Sequence, residues 1–325
     1  MIDWTDRHCR YLHRLISPRA RLYTEMITTG ALRHGDVSRH LDFDAAEHPL
    51  ALQLGGSDPA DLAYAARLGE RWGYDEINLN CGCPSERVQK GAFGACLMAD
   101  PRLVADGLRA MQDAVGIPIT VKHRLGLGRD ESYGFVRDFV GTCHAAGCRT
   151  FIVHARNAWL EGLSPKENRD VPPLRYDVAR QLKADFPDAV FVLNGGLTQT
   201  ESMLDAVQTL DGVMIGRAAY QHPMQIAQWD LALFGEPAPS VRTNPFEVID
   251  ALEPYLQARA AAGTPPWAVI RHTLGLFQGM RGARQWRRQL SDQQFVSLHG
   301  ARALRQAARA VADTGPGSTD DAQSA

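Results

Sequence analysis

Cys96 stands in a glycine-rich stretch, residues 77–98 (INLNCGCPSERVQKGAFGACLM), that leads out of a β-like run ending in Asn78 and Asn80. A thiol on such a loop can serve as nucleophile, proton donor or bystander. Local chemistry alone puts bystander first, because free cysteine is among the most buried residue types. Lys122 and His154, each at the end of an apolar run, shift that balance. Singly they read as an ion-pair partner and a hydrogen-bonded core histidine. Two glycine turns accompany them, Asn194-Gly195-Gly196 and Gly216-Arg217, whose backbone N–H groups can hold a phosphate. The convergence suggests a flavin cleft.

Such side chains need regular elements to bring them together. Short β-rich runs recur at 21–26, 50–54, 76–80, 118–122, 150–154, 190–194 and 212–216. Helical patterns fill the gaps at 58–72, 101–114, 133–145, 176–186 and 199–209. Strict alternation predicts a parallel sheet with helices outside. Polar residues sit at one strand end after another (Glu25, Gln53, Asn78 with Asn80, Lys122, His154, Asn194, Arg217), the ring that a (β/α)8 TIM barrel builds at its mouth. Only seven strands are legible, and residues 3–15 already read as a helix capped by Thr5 or Asp6. The missing first strand is expected upstream of Met1, since a seven-strand sheet leaves two raw edges.

Residues 1–235 are therefore expected to form the barrel domain and 236–245 a linker. A small all-α domain is expected over 246–313, broken into two or more helices at Pro265-Pro266, with a disordered tail over 314–325.

Composition narrows the class. Of 325 residues, 45% are hydrophobic and 22% charged, which is globular. No apolar run reaches the roughly 18 residues that span a bilayer, and the opening MIDWTDRHCR has no secretory pattern, so a soluble cytoplasmic protein without membrane contact is expected. Six cysteines in a chain of this length are no disulfide framework. Cys81 and Cys83 lack a second pair at zinc spacing, and no metal is expected. The net charge of −2 conceals a basic region, because residues 243–313 carry nine arginines against five acids.

The chain resembles the dihydrouridine synthase family, and within it the bacterial A-type branch. The resemblance rests on DWTDRHCR (3–10), LYTEMITTGA (22–31), HPLALQLGGSDP (48–59), YDEINLNCGCPSERVQ (74–89), GAFGACLM (91–98), SPKENR (164–169), NGG (194–196), DGVMIGR (211–217) and GLFQGMRGARQWRR (275–288). It implies an FMN-bearing barrel followed by a helical domain that grips tRNA. Gln53, Lys122, His154, Asn194, Gly195, Gly196, Gly216 and Arg217 match the family's FMN contacts. Cys96 matches its proton donor, and Phe93, Lys166, Arg169, Arg284 and Arg287 match positions expected to touch tRNA.

Chemistry agrees with those roles. Reducing the C5=C6 bond of uracil requires a hydride at C6 and a proton at C5, the first from reduced flavin and the second from a positioned acid. A thiol with pKa near ~8.5 is mostly protonated at neutral pH. Lys122 is expected at the flavin edge where negative charge develops, and Asn80 either fixes the base or flavin edge or closes a structural turn. A base reaches a buried flavin only by flipping out of the folded tRNA, which the arginine-rich helices would hold by backbone and shape. The expected activity is FMN-dependent, NADPH-driven reduction of D-loop uridines 20 and 20a by a monomer. The alternatives are a flavin-barrel reductase of a free pyrimidine and a flavin-free tRNA-binding protein lacking catalysis.

Overall fold

The computed structural model describes residues 1–130, 132–235 and 240–312. The expected tail lies outside these, as do residues 236–239 of the expected linker.

Seven parallel strands form one sheet in the order of the chain: β1 (Leu22–Thr28), β2 (Leu50–Gly55), β3 (Glu76–Cys81), β4 (Ile119–His123), β5 (Thr150–His154), β6 (Val190–Asn194) and β7 (Gly212–Met214). All seven runs read from sequence are strands, with ends shifted by two residues at most. β2 and β3 are buried along their whole length, as strands covered on both faces must be. The helices between them start as their sequences dictate. Asp58 caps Pro59–Trp72 through the N–H of Asp61, Asp100 caps Pro101–Gln112, and proline stands at the first turn of both. Gly69 lets the first of these lie close on the sheet, because a Cβ there would come within 2.5 Å of Ile77 and 2.8 Å of Leu52.

Alternation along a strand sends Ile77, Leu79 and Cys81 to one face of β3 and Glu76, Asn78 and Asn80 to the other. The first set packs under helices. The second lines the concave interior with Gln53, Thr120 and Lys122, their register partners on β2 and β4. No pairing joins β1 to β7 among the described residues. Residues 1–3 reach both edges, since the Asp3 N–H donates to the Glu25 carboxylate on β1 and the Met1 sulfur lies 3.6 Å from a Cβ built on Gly216.

The chain divides into two compact units. One comprises residues 1–3 and 21–216, the other residues 4–20 and 217 onward. The first helix, Arg7–Ile16, therefore belongs with the C-terminal helices. Asp6 caps it, its carboxylate accepting from the N–H groups of His8 and Cys9, and Cys9, Leu12 and Ile16 are buried. Tyr11 stacks on Tyr255 of the helix Pro245–Ala261, ring centroids 3.8 Å apart. A new helix starts at Pro266, as the proline pair predicts.

Candidate active site at the mouth of the sheet

Lys122 ends β4 inside the sheet. Its Nζ donates to Asn194 Oδ1 at 2.9 Å, and Asn194 Nδ2 donates to the Met214 carbonyl at 2.8 Å. No carboxylate pairs with Lys122 among the described residues. Burial, with the Arg124 guanidinium adding to it, pushes its pKa down to about 7. A cation in that condition is a ready partner for an anionic ligand.

The backbone after β6 supplies the complementary surface. Gly195 has φ +108° and Gly196 φ +67°, both in the left-handed region that favours glycine. A Cβ on Gly195 would come within 2.6 Å of the His154 ring, and one on Gly196 within 2.4 Å of Leu174. The Tyr176 hydroxyl donates to the Gly195 carbonyl at 2.6 Å, which anchors the turn. His154 pairs in register with Asn194, so β4, β5 and β6 deliver Lys122, His154 and the glycine turn to one place. On the other side of Lys122, Asn80 is its register partner, and Asn80 Nδ2 donates to Gln53 Oε1 at 2.8 Å. Gly216 follows β7 with ordinary backbone angles, and Arg217 opens the next helix as the first residue of that run in the second unit.

Cys96 lies on a short 3-10 helix, Gly94–Ala99, and is half-buried. Its thiol donates to the Phe93 carbonyl at 3.0 Å. Burial raises its pKa, so the proton stays on sulfur at neutral pH. The loop that carries it is fixed at its base, where Asn80 Oδ1 accepts from the N–H groups of Gly82 and Cys83, both at 3.0 Å. The Phe93 ring lies over Gly55 at the end of β2, 3.0 Å from where a Cβ would stand. Lys166 is exposed and Arg169 half-buried, on the loop after β5.

Several residues that organise this mouth escaped the reading of the sequence. Arg124, 2% exposed, donates to the Gly82 carbonyl at 3.1 Å and to the carbonyls of Asn157 (3.1 Å) and Asn168 (2.8 Å). It thus joins the base of the Cys96 loop to the loop that bears Lys166 and Arg169. Gln89 makes a second tie, donating to the carbonyls of Pro84 (2.9 Å) and Leu160 (3.1 Å). No spacing rule marks an arginine whose partners are all backbone carbonyls of distant loops.

In the second unit, Arg284 is exposed on the helix Ala283–Ser291 and Arg287 donates to Gln278 at 2.6 Å. Arg302 precedes the helix Ala303–Ala312, and Arg305 is held by Glu253 and by Asp250 at 3.3 Å.

The model of the family described as dihydrouridine synthase matches residues 1–312. The chain belongs to that family. Its members are flavin-dependent oxidoreductases. Among similar proteins, the tRNA-dihydrouridine(20/20a) synthase of Pseudomonas syringae pv. tomato is 58% identical over 301 residues, 93% of this chain and 88% of the relative. The protein of the same name from Salmonella typhi is 52% identical over 314 residues, 96% of this chain and 94% of the relative. Among solved structures, a 2-naphthoyl-CoA reductase complex superposes with a TM-score of 0.53 at 14% identity, over 73% of this chain and 47% of that one. That likeness is one of fold, a TIM-barrel-like sheet with surrounding helices.

The mouth fits a flavin mononucleotide in its donor set. An ammonium without a carboxylate among the described residues, the side-chain-free turn Gly195-Gly196 and the Gln53 amide are the groups that a phosphate and a polar isoalloxazine edge require. Gln53, Lys122, His154 and Asn194 stand on β2, β4, β5 and β6 of one sheet, and Gly195 and Gly196 follow directly.

Proposed function

We propose that this protein reduces uridines 20 and 20a of tRNA to dihydrouridine, using FMN re-reduced by NADPH. The observation that carries the reading is the interior ammonium of Lys122, held by Asn194 Oδ1 at 2.9 Å beside the side-chain-free turn Gly195-Gly196. The relatives' printed names supply the substrate and positions.

When bound, the flavin supplies the hydride that saturates C6. Cys96 delivers the proton to C5. Its thiol needs no activation for this, because burial already keeps it protonated. Lys122 offers positive charge where the reduced cofactor and the conjugated C4 carbonyl gather negative charge, and Asn194 holds its Nζ in place at 2.9 Å. Gly195 and Gly196 would hold the phosphate through backbone N–H groups. Phe93, Lys166 and Arg169 receive the flipped nucleotide and its neighbours, while Arg284 and Arg287 hold the tRNA backbone. In this division of labour the unit of residues 1–3 and 21–216, rather than the whole of 1–235, is the catalytic domain, the helical unit of residues 4–20 and 217 onward binds tRNA, and the enzyme works as a monomer in the cytoplasm. Among the described residues no helix is long and apolar enough to cross a membrane.

The test is the visible spectrum of the purified protein followed by NADPH oxidation on unmodified tRNA, with dihydrouridine mapped by position. Flavin bands and product at 20 and 20a are expected. Turnover of free uracil or uridine at the rate of tRNA would replace the reading with a free-pyrimidine reductase. A colourless, tRNA-binding protein that takes up no FMN would replace it with a binding protein.

A further inference from the structure

The concave face of the sheet holds a line of polar side chains that proton delivery does not use. From the mouth inward, Asn80 Oδ1 accepts from the N–H groups of Gly82 and Cys83, and Asn80 Nδ2 donates to Gln53 Oε1 at 2.8 Å. Gln53 Nε2 donates to Asn78 Oδ1 at 2.9 Å, and Asn78 Nδ2 donates to Thr120 Oγ1 at 2.8 Å. Thr120 Oγ1 donates to Glu76 Oε1 at 2.6 Å, an oxygen that also accepts from the Tyr23 hydroxyl at 3.0 Å. Arg21 lies 3.3 Å from the other carboxylate oxygen. All five chain members are buried: Asn78 is 0% exposed and Gln53, the most exposed, 9%.

A carboxamide fills nearly the same volume either way round, so its partners decide which end is nitrogen. Here both ends of the line have a fixed sign. Peptide N–H groups only donate and an ionised carboxylate only accepts, so every amide between them is forced into one orientation. Reversing any member sets oxygen against oxygen or N–H against N–H in a buried site, where an unmade hydrogen bond is costly. The result is a one-way chain. It leaves the second N–H of Gln53 Nε2 without a partner among the described residues, and Gln53 is itself one of the expected cofactor contacts.

We propose that Asn80 and Glu76 are positioning residues: together they fix Gln53 as a hydrogen-bond donor toward the cofactor and couple that orientation to the base of the Cys96 loop. The statement about the cofactor rests on the function proposed above, whereas the polarity of the chain stands without it.

Asn80→Asp is nearly isosteric, keeps the oxygen that accepts from both backbone N–H groups and removes the donor to Gln53. Gln53 then has to turn, Asn78 after it, and Thr120 is left facing the Glu76 carboxylate with its oxygen. Glu76→Gln offers an N–H at that point. Unfolding equilibria of the full-length protein, wild type, both single variants and the double variant, read the coupling. Residues 76 and 80 lie roughly 13 Å apart along a strand, a separation at which independent sites add to within about twofold in the unfolding constant. The chain instead predicts that Glu76→Gln rescues Asn80→Asp by about tenfold or more. Because two carboxylates also repel through space, the cycle is repeated with Thr120→Val, which cuts the chain and changes no charge. The coupling should collapse there; coupling that is absent from the start, or that survives Thr120→Val undiminished, overturns the chain.

For the cofactor, FMN titration is the readout. Asn80→Asp should weaken FMN by about tenfold, the Glu76→Gln double variant should regain stability without regaining FMN, and in a Gln53→Met background Asn80→Asp should cost no more than a further twofold. An undiminished loss in that background means that charge at residue 80 acts directly, and the donor role of Gln53 falls. A protein that binds no FMN in any form defeats the proposed function and leaves the stability cycle still able to decide the chain.

Discussion

Cys96 and Lys122 carry opposite requirements, one to hold a proton and the other to gain one. Burial meets the first directly, since desolvation raises the thiol and keeps it an acid. Cys96→Ala should lower dihydrouridine formation by about 10²- to 10⁴-fold, the range for a lost general acid, with FMN content and tRNA binding near wild type. Turnover equal to wild type would remove Cys96 from the mechanism. Burial works against the second, leaving the free ammonium with a pKa of about 7. At pH 8 most of the free protein then carries neutral lysine, and an anion bound beside it restores the charge. Binding reduced FMN, whose ring carries the negative charge at that edge, should therefore take up more protons at pH 8 than at pH 6, by as much as one per site, measured by calorimetry in buffers of different ionisation enthalpy. Lys122→Met should abolish the uptake; its persistence would place the proton elsewhere.

At the scale of elements, the site depends on turns that accept no side chain. Gly195 has φ +108°, and the His154 ring occupies the space a Cβ would need at 2.6 Å. Gly195→Ala should cost about 1–3 kcal/mol in backbone strain and displace His154. We expect FMN affinity to fall at least tenfold while far-ultraviolet circular dichroism stays unchanged. Retained affinity would mean that the turn does not line the cofactor site. Arg124 and Gln89 act at this scale too, because the loops after β3, β4 and β5 contain no more than short helical turns and rely on side chains that saturate their carbonyls.

Across the whole molecule, charge and acid sensitivity are distributed unequally. Each phosphate contact releases counterions, so Arg284→Ala and Arg287→Ala should each lower the slope of log affinity for tRNA against log salt by about one without changing FMN content. Unchanged slopes would leave these arginines as a solvated face, the condition in which Arg305 already stands with its own acids. His8 and His13, on the helix of residues 7–16, are pushed down to about 4 by burial first, as is His123 on β4. Each is neutral in the fold and takes a proton on unfolding below its ordinary pKa of about 6.5. Their contribution to stability is complete above that value and is lost as pH falls toward 4, on the order of 3 kcal/mol for each. Asp6 acts below that window: burial opposes its charge, but His272, the Cys9 amide and Arg271 hold its carboxyl well below the usual range, so its share is lost only as pH falls below about 4. Unfolding midpoints measured between pH 7 and 4 should fall steeply. A flat profile would mean that these histidines are charged in the fold.

The strands, their order and most of the polar mouth were legible because period and spacing are local properties. A run such as TFIVH, short and rich in β-branched residues between two helical patterns, reads as a buried strand, and its terminal histidine then stands at the end of the sheet. The motifs around Cys96, Lys122 and Asn194 likewise carry their identity in a few adjacent residues. Only the tertiary structure decided what depends on residues far apart in sequence. It assigned the first helix to the C-terminal unit, because Tyr11 and His8 find Tyr255 some 240 residues away. It engaged Arg305 with Glu253, where helical spacing alone left it open. It made one line of Asn80, Gln53, Asn78, Thr120 and Glu76, since the polarity of an amide is set by neighbours on other strands. Periodicity states which face a side chain takes, and only packing states which partner it meets there.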